Sequence, residues 1–367
     1  MVVNGFQYRR ISKEEFDSAE SQWNDLLMAS DANPLFMSWE WIHGWWVTWA
    51  ASLGIELHIY FIYLNERLVG ILPLYSFNRR FWLFKEFHFI GNAWGRAPTV
   101  RSEYIGPIFT KPLRDELNKS FFAWIGKHGP LHSFIVADCI NYDFAPQNVA
   151  IRKVDHGYWL DCSGDFEHYK SSLGAAVRLK VFNRVDYLLS KYSEIEFGIY
   201  DLKELNLDNF FNQLNEFHLV RWGKVCFDNN AVDFHKRLIR SMDKSIPVLS
   251  YIVINKQLVS LSYNIKSGDV LYNIQSGYIE AYDKKVALGA LHFGYLIKYA
   301  FHNSDIRQLD FLAGRGKRSN YKASFRGSEV KFHTVEIFAS ALVGRIYKCW
   351  IKIRSKISSW RLKWKTP

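Results

Sequence analysis

His218 and Arg221 lie three residues apart in the segment Phe217-His218-Leu219-Val220-Arg221-Trp222-Gly223. On a helix this spacing places both side chains on one face, next to Trp222. His218 could accept a proton from a hydroxyl or an amine, because an unperturbed imidazole has a pKa of about 6.5. Arg221 and Trp222 are the neighbouring candidates for binding a substrate. The alternative is a partly buried histidine with a packing role.

A second group of polar residues follows the predicted strand that contains Asp310. This Gly-punctuated loop is basic and could hold phosphate groups, or it could simply be solvated. Its cationic residues are Arg315, Lys317, Arg318, Lys322 and Arg326. Asp310, at the end of the strand, could orient a substrate or bond to the following turn.

Several common chemistries have no support in the sequence. It contains no Ser-His-Asp triad order, HExxH, GxGxxG or GxxxxGK[ST] pattern, so hydrolase, zinc peptidase and nucleotide-phosphate functions are not indicated. The four cysteines are scattered and form no CxxC or Cys/His cluster. We therefore expect no metal and no disulfide framework, and a reducing cytoplasm as the compartment.

A hairpin pattern occurs twice, and the two copies are 190 positions apart. The segment from Phe61 to Ile71 aligns with the segment from Tyr251 to Leu261. Each reads as an apolar strand, a three-residue polar turn opened by Asn, and a second strand that begins Leu-Val. The match is either a coincidence, because strand–turn–strand patterns are common, or the result of a domain duplication.

The chain has 367 residues, which is too long for one small core. We predict an α/β (α+β) fold with domains at 1–160 and 161–340 and a helical tail at 341–367. Each domain should have a central, mostly antiparallel sheet flanked by helices. The helices are predicted at about 39–52, 112–128, 175–192, 207–221 and 286–302.

This order of elements resembles that of the GNAT acyltransferase fold. The sequence is also similar, over roughly residues 35–335, to the CelD-like acyltransferases of polysaccharide biosynthesis, which are related to the FemAB transferases. That similarity is read from segments in a fixed order along the chain. They are Phe36-Met37-Ser38-Trp39-Glu40-Trp41, Leu68-Val69-Gly70-Ile71-Leu72-Pro73-Leu74, the His218 segment, Tyr272 to Gly277, Leu309-Asp310-Phe311-Leu312-Ala313-Gly314 and Tyr321-Lys322.

The resemblance implies a site for acyl-CoA at a helix start, where free amides and the helix dipole favour pyrophosphate. The matching segment is Lys284-Lys285-Val286-Ala287-Leu288-Gly289-Ala290, a degenerate form of the family motif. Lys284, Lys285, Gly289 and Ala290 are its candidate binding residues. An ordinary helix start with two solvated lysines is the alternative.

The resemblance also places a Tyr-Lys pair at Tyr321 and Lys322. A phenol can donate a proton to a departing thiolate, and a lysine can stabilise negative charge. Backbone amides near Gln275 to Gly277 would hold the oxyanion. The implied activity is acyl-CoA-dependent N- or O-transfer, with acetyl-CoA as the expected donor. The acceptor would be a cell-envelope polysaccharide or its lipid-linked precursor.

Two other functions remain open. One is a FemX-like transferase that uses aminoacyl-tRNA, for which the basic loop would bind nucleic acid. The other is a scaffold for polysaccharide synthesis without catalysis. Binding of nucleic acid is expected only for the first of these.

The net charge of +11 is concentrated in the tail, because residues 341–367 carry eight basic residues and no acid, which leaves +3 for the rest. Apolar residues recur in this tail every three or four positions. They are Val343, Ile346, Trp350, Ile353, Ile357, Trp360 and Trp364. The pattern favours a helix on the inner, anionic membrane surface, and a helix that docks on the body or pairs in a dimer is the alternative.

Overall fold

The computed structural model describes residues 1–78, 85–93, 97–128, 133–140, 149–314, 320–338, 341–342 and 344–345. The predictions for Arg315, Lys317, Arg318 and nearly all of the tail lie outside these residues. The chain forms two units, of which the first contains residues 1–154 and 333–367 and the second contains residues 155–332.

The first unit begins with a strand pair and three helices and continues with two hairpin strands. Its elements are β1 (Val2–Val3), β2 (Phe6–Arg10), α1 (Lys13–Asp17), α2 (Glu20–Met28), α3 (Trp39–Leu53), β3 (Glu56–Leu64), β4 (Arg67–Asn78), β5 (Lys85–Phe89), β6 (Ile108–Phe109), α4 (Arg114–His128) and β7 (Ser133–Cys139).

The remaining elements run from the strand that enters the second unit to the end of the described chain. They are β8 (Val149–Asp161), α5 (Phe166–Ser172), α6 (Ala175–Arg178), α7 (Arg184–Lys191), β9 (Ile195–Ile199), α8 (Leu207–Trp222), α9 (Asn229–Ser241), β10 (Ser245–Ile254), β11 (Gln257–Ser267), β12 (Val270–Tyr278), α10 (Leu288–His302), β13 (Gln308–Ala313), α11 (Asn320–Ala323) and β14 (Ser328–Phe338).

The two units have sheets of the same construction. In the first, the strand order is β1-β2-β3-β4-β5-β7, completed by residues 333–338 of β14. In the second, the order is β9-β10-β11-β12-β13, completed by residues 155–161 of β8. Each sheet is antiparallel except for one parallel pair, which is β5 with β7 and β12 with β13. The predicted fold class is confirmed.

The repeated hairpins are β3–β4 and β10–β11, and they share details that coincidence does not supply. Both have a bulge two residues before the turn, at Ile62/Tyr63 and at Ile252/Val253. Both turns are two residues long, and both turn residues are left-handed, with φ of 48° and 66° in the first and 48° and 64° in the second. The prediction of a three-residue turn was wrong, because Asn followed by a second left-handed residue closes a two-residue hairpin.

The predicted helix at 175–192 is interrupted. Residues Leu179–Asn183 form a π-helical turn between α6 and α7. At this turn α10 approaches closely, because a Cβ built on Gly294 would lie 1.9 Å from the carbonyl oxygen of Val181. A local widening of the helix is typical of such irregular packing and is not visible in apolar spacing.

The core of the second unit lies between its sheet and helices α5 and α10. Leu271, Phe293, Ile297, Leu309 and Phe325 are all buried in this cluster. It fixes α10 against the parallel pair β12–β13, and the site described next lies at the end of that pair.

None of the helices in the described part of the chain is long and apolar enough to cross a membrane.

Candidate functional site

Strands β12 and β13 pair over three residues only. The parallel register joins Val270 to Gln308, Leu271 to Leu309 and Tyr272 to Asp310. Beyond Tyr272, β12 continues to Tyr278 while it pairs with β11 on its other side. The last residues of β12 therefore have one edge that is not paired with β13, as expected for two strands that diverge.

Ser276 presents its backbone at this edge. The C=O and N–H of one strand residue point to the same side, and alternate residues point to opposite sides. Ile279 donates its N–H to Val259 in β11 at 2.9 Å, so residues 277 and 279 face β11 and Ser276 faces away from it. The carbonyl of Ser276 accepts from Nε2 of His218 at 3.0 Å. Its N–H donates to Oε1 of Gln275 at 3.1 Å.

A bulge and a buried polar network hold Ser276 in place. The register between β11 and β12 shifts at Asn264, so that β12 has one extra residue, Ile274, and Asn273 and Ser276 lie on the same face. Nδ2 of Asn273 donates to Oδ1 of Asn264 at 2.8 Å and to Oγ of Ser262 at 3.0 Å. Oγ of Ser262 lies 2.9 Å from Oγ of Ser276. Satisfied buried polar groups of this kind rigidify a strand.

His218 comes from α8, whose buried face packs on β12. The helix begins at the cap Asn206, whose side chain accepts from the N–H of Asn209, and it ends at Gly223, which is left-handed with φ of 66°. Burial and the nearby charge of Arg221 lower the pKa of His218, although the bond to Ser276 acts in the opposite direction. The imidazole is therefore neutral near pH 7. Because Nε2 donates to a carbonyl, Nδ1 carries the lone pair.

Arg221 lies between two aromatic rings. The centre of its guanidinium is 4.7 Å from the ring centroid of Trp222 and 4.5 Å from that of Tyr278. Its Nε is 3.7 Å from a carboxylate oxygen of Glu280. A guanidinium held between two rings is pre-organised for an anionic group.

Tyr321 belongs to the same group of side chains. Burial around its hydroxyl raises the pKa of the phenol, nearby Tyr278 raises it further and Arg221 lowers it, although 43% of the residue surface is exposed. Its ring packs on Phe293 of α10, with centroids 5.8 Å apart. Arg221 thus lies one helical turn from His218 and interacts electrostatically with Tyr321, which is 100 positions later in the chain.

Lys322 is placed differently from Tyr321. It is buried, and its Nζ donates to the carbonyls of Phe311 at 2.5 Å and of Leu312 at 3.1 Å. Asp310 is fully buried, and its carboxylate accepts from the N–H of Leu312 at 2.7 Å. Leu312 is left-handed, with φ of 55°. Both charged residues therefore stabilise the bend that ends β13, which is the second of the two roles weighed for Asp310.

The start of α10 contains the predicted residues for binding acyl-CoA. Lys284 and Lys285 are exposed, Gly289 is buried and Ala290 is half-buried. The first helical residue is Leu288, and no side chain in the described part of the chain caps the helix at Ala287. The amides of this first turn are where an anion would bind, with two lysines nearby.

The loop before α10 is fixed by a buried carboxylate. Asp283 accepts from Nζ of Lys191 at 2.5 Å, from the hydroxyl of Tyr187 at 3.3 Å and from the N–H of Lys285 at 2.7 Å. Lys191 and these hydrogen bonds lower the pKa of Asp283, which stays ionised. Asp283 was not predicted from the sequence, where its position next to the two lysines was its signal.

Gly289 packs directly on Tyr278. A Cβ at this position would lie 2.3 Å from the Tyr278 ring, so any larger residue must displace the ring and the Arg221 guanidinium next to it. A substitution of Gly289 would therefore disturb two parts of the site at once. Charge reversal at the exposed lysines is the cleaner test of anion binding.

Part of the chain matches a known protein family. Residues 176–323 match the model of a family described as an acetyltransferase (GNAT) domain. This part of the chain is similar to that domain. No curated protein matches the chain.

Solved structures share the fold over most of the chain. A crystal structure of FemX has a TM-score of 0.57 and 8% identity, and the match covers 89% of this chain and 96% of FemX. The C-terminal domain of a putative lysylphosphatidylglycerol synthetase from Agrobacterium fabrum has a TM-score of 0.53 and 6% identity, with 89% and 94% covered. A protein of unknown function from Bacteroides thetaiotaomicron has a TM-score of 0.51 and 10% identity, with 92% and 100% covered. At these identities the likeness shows the fold alone.

A metal is not indicated in this site. The described residues contain no group of three or more His, Cys, Asp or Glu side chains that could hold a metal ion.

Proposed function

We propose that the chain is an acyl-CoA-dependent N- or O-acyltransferase of the CelD-like type that acts on a cell-envelope polysaccharide or its lipid-linked precursor. The observation that carries the proposal is the juxtaposition of a neutral histidine with the free edge of a diverging strand. His218 donates to the carbonyl of Ser276, and the N–H of Ser276 points to the same edge. The start of α10 supplies the complementary site for pyrophosphate.

The donor supplies a thioester whose carbonyl is attacked by the hydroxyl or amine of the acceptor. The new C–O or C–N bond forms as the C–S bond breaks. Nδ1 of His218 takes the proton of the attacking group. The N–H of Ser276 donates to the carbonyl oxygen once the Gln275 side chain rotates away, and such a donor contributes about a hundredfold or more in rate.

Tyr321 completes the proton balance. Its raised pKa keeps the phenol protonated near pH 7. Arg221, which lowers that pKa, favours donation of the proton to the departing thiolate. Arg221, held by Trp222 and Tyr278, is placed to bind an anionic group of the acceptor or donor. Lys284 and Lys285 would hold the pyrophosphate at the first turn of α10.

The donor is tested by measuring the binding of acetyl-CoA, free CoA and aminoacyl-tRNA to the full-length protein side by side. We expect the protein to bind acetyl-CoA and CoA. Adding aminoacyl-tRNA should leave the affinity of the protein for both of them unchanged. Tight binding of aminoacyl-tRNA without binding of CoA would instead support the tRNA-dependent alternative. Binding of none of the three would support a non-catalytic scaffold.

Replacing Tyr321 by Phe should lower kcat by about a hundredfold, because it removes the proton donor and keeps the ring on Phe293. Steady-state release of CoA thiol measures the effect, and the melting temperature should stay the same. Tyr299→Phe, on α10, is the matched control and should leave kcat unchanged. A fully active Tyr321→Phe enzyme would remove Tyr321 from the mechanism.

A further inference from the structure

The last turn of α8 reverses the usual distribution of side chains. In its earlier turns Phe210, Phe211, Leu214 and Phe217 are buried. In the last turn Leu219, Val220 and Trp222 are 51%, 85% and 51% exposed. The charged residue of this turn, Arg221, points inward and keeps only 19% of its side-chain surface exposed. Apolar groups that face water beside a buried charge indicate a surface covered by something else.

The loop that follows adds Val225, which is 44% exposed. A side chain of α8 holds this loop rigidly. Oδ1 of Asn215 accepts from the N–H groups of Cys226 and Phe227 at 3.1 Å and 3.0 Å, and its Nδ2 donates to the carbonyl of Phe227 at 2.8 Å. Leu219, Val220, Trp222 and Val225, here called the α8 rim, are therefore presented on a fixed backbone.

We propose that the α8 rim docks on an anionic membrane surface. Docking in this way would orient the candidate site toward lipid-linked molecules. Three observations favour lipid as the occupant. A tryptophan among aliphatic residues is typical of the membrane interface. Lys224, which is exposed, lies within the rim between Trp222 and Val225, and no acidic residue lies between Leu219 and Val225. The rim offers four side chains, whereas a stable protein interface uses about 20–30 residues on each side.

The rim adjoins the site directly. The ring of Trp222 covers the guanidinium of Arg221, whose other side rests on Tyr278. Tyr278 in turn packs on Gly289 at the start of α10. A membrane that receives the rim would therefore lie next to Arg221 and Tyr278 of the candidate site. The identity of the acceptor as a lipid-linked molecule rests on the proposed function, whereas membrane docking does not.

Co-sedimentation of the full-length protein with vesicles tests the proposal. The vesicles contain equal parts of phosphatidylglycerol and phosphatidylcholine, and no CoA is present. Val220→Glu should weaken the partition coefficient by about tenfold, because it replaces an apolar contact by a charge that an anionic surface repels. Leu189→Glu, at a 58% exposed leucine of α7, is the matched control and should bind as the wild type does.

The outcomes are separable. Equal binding of Val220→Glu and the wild type would overturn the proposal, as would failure of the wild type to bind these vesicles. A shift of Val220→Glu from dimer to monomer in light scattering, without vesicle binding by either protein, would assign the rim to a second copy of this chain and also overturn it. Binding of acetyl-CoA, measured without vesicles, reports on the proposed function separately, because Val220 lies outside the site.

Discussion

Replacing His218 by Gln should lower kcat by about a thousandfold, within the usual range for loss of a general base. Glutamine can still donate to the carbonyl of Ser276, so the strand edge keeps its contact while the proton acceptor is lost. The measurement is steady-state acyl transfer with the acceptor in excess. His168→Gln, at a histidine whose side chain is exposed on α5, should have no effect.

The pH dependence gives an independent readout of the same residue. Burial and Arg221 lower the pKa of His218, so its neutral, active form persists below the ordinary pKa of histidine. The wild-type kcat/KM should therefore fall only as the pH drops through this lowered value. The variant His218→Gln should lack that acidic limb. A variant that keeps both its rate and the limb would show that His218 has a packing role.

Replacing Lys322 by Ala should destabilise the fold by about 3 kcal/mol, because it leaves the buried carbonyls of Phe311 and Leu312 without this charged donor. Chemical denaturation measures the loss. Lys285→Ala, at an exposed lysine, should change stability little. Any loss of kcat in Lys322→Ala should follow the folded fraction.

A different result would restore a chemical role for Lys322. If Lys322→Ala unfolds at the same denaturant concentration as the wild type and loses most of its kcat, the ammonium acts on the substrate. The two carbonyls would then be satisfied in another way. Stability and turnover measured on one preparation separate the two roles.

The local part of the fold could be predicted from the sequence. Alternating apolar residues and the Asn of the turn predicted both hairpins. The helical spacing of apolar residues predicted α3, α8 and α10, and the predicted ends agree with the observed ends within a few residues. The helix α9 was missed although Phe234, Leu238 and Ile239 lie at helical spacing and are buried. These elements depend on neighbours in the sequence, which is why their patterns are visible there.

The strands that complete the two sheets could not be predicted in the same way. Residues 333–338 pair with β7, about 200 positions earlier in the chain, and residues 157–161 pair with β13, about 150 positions later. Such partners follow from the three-dimensional arrangement and leave no local pattern. The long strands β8 and β14 were accordingly missed.

The residues of the candidate site could be predicted from the sequence better than the role of each residue could. Arg221 lies near both His218 and Tyr321. Lys322 was expected to stabilise negative charge because the resemblance places a Tyr-Lys pair there, and Asp310 was expected either to orient a substrate or to bond to the following turn. Their burial depends on the left-handed Leu312, which nothing in the sequence marks. The particular amide at the free edge, that of Ser276, depends on the bulge at Ile274, which is equally invisible.

We propose that the second unit holds an acyl-CoA at the start of α10, and calorimetric titration with acetyl-CoA tests this binding. The double variant Lys284→Glu/Lys285→Glu should bind at least about tenfold more weakly than the wild type, because two attractive charges become repulsive. Lys256→Glu is the control, since Glu66 occupies the same left-handed turn position in the first hairpin. Equal affinity of the double variant and the wild type would contradict the claim.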